Sequence, residues 1–320
     1  MELLFDKEGA DPSDELKSLL GFVDADIDFN KIKPDATTAT NDLMQLIGQP
    51  MYETVLEAYK DDDADEAAKY LVYVTRYPVA VDAYRLFAPD MDIAHTDNGR
   101  KLRQDDNEKL PFEWMIEKNN ESLEKRYYRA LDDMLRHYET LDTWKGTEAY
   151  KKLHRLFITT TDQFDEHFRI GSRLVLLKLE PGIRQCEQRE IKSRIGKTKF
   201  DALKAALTSG NELPEADAAL LELIREACVF YAMAWAMLRL TVTIFPEGVL
   251  QAYTSDRDTV RIKRPAAKLE TQAARQAFLD DAAAAFLRIE QHVAPVVVPV
   301  PGTMQDSQPK IITGDKFISL

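Results

Sequence analysis

The sequence has few of the features that usually identify a chemistry or a membrane anchor. It has only two cysteines, Cys186 and Cys228, in 320 residues, which argues against a disulfide framework and indicates a reducing compartment. Neither GxGxxG nor GxxxxGK[ST] occurs, so no glycine-rich phosphate loop is predicted. The uncharged stretch Ala227–Leu238 is well short of the ~20 apolar residues of a membrane span. The acidic N-terminus MELLFDKEGADPSDELK lacks the bases and the long apolar run of a signal peptide.

Basic residues are also outnumbered by acidic ones. The net charge is -13 with a pI near 5.0, although 45% of the residues are hydrophobic and 30% are charged. This composition is that of a globular chain with a sizeable core. Tight wrapping of nucleic acid is disfavoured, because phosphate binding requires cations that displace counterions. DNA that passes without adhering is compatible with such a surface. The chain is expected to be cytosolic or virion-borne, with no membrane element.

What is present is helical periodicity. Apolar residues recur at helical spacing in several segments, and glycines and prolines are expected to punctuate them. A helix is predicted to follow the cap residues Thr38–Asp42, with a break near Gly48, and the acidic run Asp61–Glu66 is predicted to open the next one. The predicted helices further along are 113–141, 148–157, 172–179, 182–195, 200–207, 214–243 and 266–293. Pro34 is expected to end an extended segment, Pro78 to interrupt a helix and Pro181 to break or kink one.

Two segments depart from this pattern. Asn98-Gly99, between short extended runs, is a strong hairpin signal and predicts a projecting β-hairpin over about 92–104. The proline-rich and β-branched C-terminus predicts an extended arm over 294–320. The predicted fold class is mostly α, a multi-helix bundle with these two appendages. The predicted organisation is an N-terminal extended or irregular arm (1–36), a helical bundle domain (37–293) that carries the hairpin, and the C-terminal arm.

No catalytic, cofactor or metal residue is assigned. Asp165-Glu166-His167 resembles the start of a metal site, but no second ligand set follows nearby in the sequence, so loop surface is the better interpretation. No two of the five histidines stand at i, i+4. Arg184 and Arg189 lie near Cys186 and could lower its thiol pKa, but no histidine partner is in view, so inert helix surface or core is the favoured interpretation.

Two basic stretches stand out on this acidic chain. They suit pairing with an acidic neighbouring subunit or contact with phosphate, and a solvated mixed-charge face is the equal alternative. The candidate basic contact residues are Arg184, Arg189, Lys192, Arg194, Arg257, Arg261, Lys263 and Arg264. Exposed strand edges pair with other chains unless they are covered. The candidate subunit contacts are therefore Ile93, Asn98, Gly99, Arg100, Lys101, Leu102, Ile311, Ile312, Phe317 and Ile318.

Several sequence segments occur together in a recognisable order. They are IDFNKIKPDATTATNDLMQLIG, MDIAHTDNGRKLRQDDNEKLPFEW, FITTTDQFDEHFRIGSRLVLLKLEPGIRQCEQREI, GKTKFDAL and DKFISL. This order, over roughly Asp28 to Pro246, resembles a family of uncharacterised proteins from phages and prophages of Bacteroidetes, carried near structural genes of the particle. The resemblance implies a virion structural protein, a head–tail connector (adaptor) that forms a ring below the portal. It brings no catalytic residues.

Two hypotheses follow. The first is a homo-oligomeric ring subunit that contacts portal, tail or other connector proteins through the hairpin and the C-terminal arm, and that surrounds DNA without binding it specifically. The second is a helical interaction or DNA-binding regulatory protein that acts through the basic stretches and shows salt-dependent binding. An enzyme ranks third, since the sequence shows no recognisable catalytic triad, set of metal ligands or phosphate-binding loop.

Overall fold

The computed structural model describes residues 2–23, 27–97, 99–102, 111–240, 243–245, 248–250 and 268–294. Within these ranges the fold is mostly α-helical, with two short antiparallel hairpins. The predicted mostly α, multi-helix fold class is therefore confirmed. The C-terminal arm, apart from Ala294, lies outside the described residues.

The first half of the chain packs around one hydrophobic core. Its elements are α1 (Pro12–Leu20), α2 (Phe29–Ile47), α3 (Gln49–Lys60), α4 (Glu66–Met91), β1 (Ile93–Thr96), β2 (Gly99–Leu102), α5 (Glu113–Tyr138) and α6 (Glu148–Leu153). The predicted break at Gly48 is confirmed between α2 and α3. Asp65 accepts a hydrogen bond from the Ala68 N–H and caps α4, so the acidic run opens a helix as predicted.

The N-terminal segment is part of this core. The prediction of an extended or irregular arm over 1–36 is wrong, because α1 and the start of α2 lie within it. Leu3, Leu4 and Phe5 are buried, and the Tyr52 hydroxyl donates a 2.8 Å hydrogen bond to the Glu2 carbonyl. Burial of this short apolar run outweighs its weak helical periodicity.

None of the three prolines that were expected to end or break a segment ends a helix. Pro34, Pro78 and Pro181 lie inside α2, α4 and α8 (Arg173–Cys186), respectively. A proline in a helix interior removes one backbone hydrogen bond and typically costs about 3 kcal/mol. Pro78 is buried in the first half of the molecule, where packing of the surrounding helix face offsets that cost. Helix α2 begins at Phe29, directly after its cap residue Asp28, and not after Thr38–Asp42 as predicted.

The second half of the chain forms another core. Its elements are α7 (Thr161–Asp165), α8 (Arg173–Cys186), a π-helical turn (Glu187–Ile191), α9 (Lys192–Ile195), α10 (Lys197–Ser209), α11 (Glu215–Arg239), β3 (Thr243–Phe245), β4 (Gly248–Leu250) and α12 (Lys268–Val293). Helix α11 packs most extensively against α12 and α8. The predicted helix over 214–243 ends earlier, at Arg239.

The described residues form two buried clusters, one within Leu3–Tyr150, which begins before the predicted domain start at 37, and one within Leu156–Ile289. Asp132 of α5 joins them. Its carboxylate accepts a 2.9 Å hydrogen bond from Thr161 Oγ1 and lies 3.4 Å from the buried Arg173 guanidinium of α8. None of the described helices is long and apolar enough to span a bilayer.

Candidate interaction surface

The predicted hairpin is present and is exposed. Strands β1 and β2 pair antiparallel, with Ile93 opposite Leu102 and Thr96 opposite Gly99. The described turn therefore lies between Thr96 and Gly99. Gly99 has a φ of +98°, a value that favours glycine, and its carbonyl accepts a 2.8 Å hydrogen bond from Thr96 Oγ1.

Both outer edges of this hairpin are unpaired by any other described strand. Arg100 and Lys101 are exposed, as predicted for the polar part of the hairpin. Ile93 is 38% exposed at the root. Unpaired N–H and C=O groups along a strand edge are a template for an added strand. The hairpin therefore offers both backbone and apolar contacts to a partner.

Further exposed apolar side chains lie at the start of α5, near the end of α4 from which the hairpin leaves. Phe112, Trp114 and Met115, at the start of α5, are 69%, 41% and 44% exposed. A groove of about 370 Å³ lies between the end of α4 and the start of α5, lined in part by Tyr84, Met91, Asp92, Met115 and Ile116. Clustered exposed aromatic and apolar residues are typical of protein–protein contacts. We call Ile93, Phe112, Trp114 and Met115, together with β1 and β2, the hairpin surface.

The first basic stretch is only partly available for contacts. Arg194 forms ion pairs with Glu190 at 2.6 Å and Glu290 at 3.0 Å, and Lys192 lies over the Phe200 ring. Both side chains are half-buried, whereas Arg184 and Arg189 are exposed. The stretch therefore serves partly to fasten α9 to α12, a role that sequence spacing did not reveal.

Several predicted contact residues lie outside the part of the chain that the structure describes. They are Asn98, Arg257, Arg261, Lys263, Arg264, Ile311, Ile312, Phe317 and Ile318. For Leu102 the backbone lies in β2.

The most unusual titratable pair is buried beneath the π-helical turn. Glu187 and Lys204 have side-chain exposures of 1% and 15%, and Lys204 Nζ donates a 2.7 Å hydrogen bond to Glu187 Oε2. Burial raises the pKa of Glu187 and lowers the pKa of Lys204, because it disfavours both charged forms, and each charge partly offsets the shift of the other. Neither residue was singled out from the sequence, since nothing in the spacing of 187 and 204 indicates a pair.

The two cysteines are also buried. Cys186 of α8 and Cys228 of α11 are both 0% exposed, and they lie close enough for the Cys186 side chain to raise the pKa of the Cys228 thiol further, beyond the main effect of burial. The burial favours a packing role for both residues.

A family model for a family of unknown function, DUF6712, matches residues 43–153 and 191–294, more than half of the chain. The chain belongs to this family. The hairpin surface lies in the first matched segment, and α10, α11 and α12 lie in the second. No curated protein and no solved structure matches the chain.

Proposed function

We propose that this member of the family is a virion structural protein, a subunit of a head–tail connector (adaptor) ring. The observation that carries the proposal is the hairpin surface, a two-stranded arm whose edges no other described strand pairs, together with the exposed side chains of Ile93, Phe112, Trp114 and Met115. An arm that follows the end of a long helix is suited to strand addition and side-chain packing on a neighbour. The resemblance to phage structural proteins supports the same role.

In this proposal the chain contacts copies of itself and the portal, tail or other connector proteins, in the virion and, during assembly, in the host cytoplasm. The net charge of -13 supports a ring that surrounds DNA without binding it specifically. An acidic channel wall repels phosphate, so DNA slides past with little adhesion.

The alternative, a helical interaction or DNA-binding regulatory protein, rests on the exposed side chains of Arg184 and Arg189. It is weakened by the use of Arg194 and Lys192 in contacts within the chain. It predicts a monomer or dimer whose DNA affinity falls steeply as salt increases.

Native mass spectrometry of the full chain across a concentration series tests the proposal. We expect wild-type oligomers that Ile93→Asp disrupts, because the new charge lies in the apolar part of the hairpin surface. Leu177→Asp is a matched control, since Leu177 of α8 is also 38% exposed but lies in the other half of the molecule. A wild-type chain that stays monomeric at high concentration contradicts the proposal. So does a result in which Ile93→Asp and Leu177→Asp oligomerise to the same extent.

A further inference from the structure

The tertiary structure supplies a neighbour that the Asp165-Glu166-His167 motif lacks in the sequence. Glu222 of α11 faces the loop that follows α7, and its Oε2 lies 3.9 Å from His167 Nε2. One ligand atom each from Glu166, His167 and Glu222 can be chosen so that all three lie within 4.8 Å of one another. A nitrogen and two carboxylate oxygens thus converge from two separate elements.

His167 Nε2 is the atom that most needs a partner. The atom is fully buried and has no hydrogen-bond partner among the described residues, although the side chain as a whole is 17% exposed. A buried polar atom without a partner is costly. Metal ions bind the neutral imidazole through such a nitrogen.

Both sides of the cluster are held in place. Asp165, the first residue of the motif, does not face the cluster as a ligand: its Oδ1 accepts hydrogen bonds from the N–H groups of Ile170 at 2.7 Å and Gly171 at 3.1 Å. It thereby closes the loop that carries His167. On α11, Arg225 donates a 2.6 Å hydrogen bond to Glu222 Oε1 and leaves Oε2 directed toward His167.

We propose that Glu166, His167 and Glu222 form a binding site for a divalent transition-metal ion, with Zn²⁺ as the best match. Zinc favours mixed imidazole and carboxylate ligands, and three protein ligands leave a fourth position for water. Ligands at zinc distances of about 2.1 Å lie roughly 3.4 Å apart in a tetrahedral site. The side chains of Glu166 and Glu222 therefore need to bring the ligand atoms closer together by less than about 1.5 Å. The exposed position of Glu166 allows this movement. The ion would fasten the α7 loop to α11.

Isothermal titration calorimetry of the untagged, EDTA-treated full chain with ZnCl₂ tests this site. We expect one saturable zinc site per chain, and an affinity at least about tenfold weaker in His167→Ala. His137→Ala is the matched control, since His137 lies on α5 against the Tyr70 ring, and it should bind zinc as the wild type does. MgCl₂ should bind far more weakly, because magnesium favours oxygen ligands.

The competing explanation is a plain ion pair between protonated His167 and Glu222. It predicts no saturable zinc binding, and that result would overturn the proposal. Zinc binding that survives His167→Ala, or magnesium binding of equal strength, would also overturn it. If His167→Ala fails to fold, Glu166→Gln replaces it as the test, because this exposed position tolerates the change, and it should also weaken zinc binding.

Discussion

Lys204 and Glu187 form an ion pair in the interior of the second core, with Nζ and Oε2 2.7 Å apart. Lys204 Nζ also donates to the Arg155 carbonyl at 2.8 Å, and Glu187 Oε1 accepts a 2.5 Å hydrogen bond from the Phe157 N–H. The pair therefore links the π-helical turn and α10 to the segment that leads out of α6. A buried pair of this kind is fragile when one partner is removed.

Lys204→Met should lower the free energy of unfolding by about 3–5 kcal/mol, because it leaves the Glu187 charge buried and uncompensated. The double variant Glu187→Gln/Lys204→Met should lose less than the sum of the two single variants, with a coupling energy of about 1–3 kcal/mol. Urea unfolding of all four proteins measures both quantities. Simple additivity would show that the two charges do not depend on each other.

Gly182→Ala should destabilise the protein by about 1–3 kcal/mol through overpacking, even though alanine is the better helix former by about 0.5–1 kcal/mol. An added Cβ would lie 3.1 Å from the Ala232 Cα and 3.1 Å from ring atoms of Trp235. The backbone of α11 cannot yield as a flexible side chain could. Thermal or urea unfolding measures the effect.

A smaller residue at position 235 provides the control for this contact. Trp235→Leu should itself be destabilising, but adding Gly182→Ala to it should cost less than in the wild-type background. An equal cost in both backgrounds would show that the indole does not set the limit and that the Ala232 backbone does.

Tyr138→Phe should cost about 1 kcal/mol or slightly more, because it leaves a buried acceptor without its donor. Thr75 Oγ1 donates to the Leu71 carbonyl at 2.7 Å, so the Tyr138 hydroxyl, 2.8 Å from the same oxygen, is the donor to Thr75. Chemical denaturation gives the difference. Tyr128→Phe, at a half-buried position on the same helix, should stay within about 0.5 kcal/mol.

Asp82 should make stability depend on pH. Burial raises the pKa of this carboxyl from its ordinary value near 3.8, more than the hydrogen bond and charge of Arg85 lower it, and Asp42 raises it slightly further. A raised pKa in the folded state means that the contribution of Asp82 is fully present below the unfolded pKa. It is lost as pH rises through the folded pKa.

The stability of Asp82→Asn relative to the wild type should therefore increase as pH rises from about 4 toward neutrality. Arg85→Gln should steepen the pH dependence of the wild-type chain, because it removes the cation that opposes the shift. Urea unfolding at a series of pH values tests both. A difference between Asp82→Asn and wild type that is constant with pH would contradict the assignment.

Secondary structure was predicted most accurately from the sequence where helical periodicity extends over a long segment or where a local signal is strong. The helix over Glu113–Tyr138, the break at Gly48 and the hairpin over about 92–104 all follow from spacing within a few residues. In each case the deciding interactions are local: i, i+3 and i, i+4 contacts, or a tight turn.

The errors came where long-range packing overrides a local rule. The prolines at 34, 78 and 181 remain inside helices, and the N-terminal segment is core instead of arm. Pro78 is buried, and the N-terminal segment packs against residues far away in the chain, as in the contact of Tyr52 with Glu2; Pro34 and Pro181 are exposed. Local propensity is a weak predictor in such places.

The sequence by itself determined the class of the fold, the sequence positions of most helices, the hairpin and the acidic charge of the surface. Only the tertiary structure decided which helix faces meet. It joined Glu187 to Lys204, placed Gly182 against Trp235 and brought Glu222 to His167. Periodicity specifies that a face is buried but not its partner, because that choice depends on how whole helices pack their side chains together.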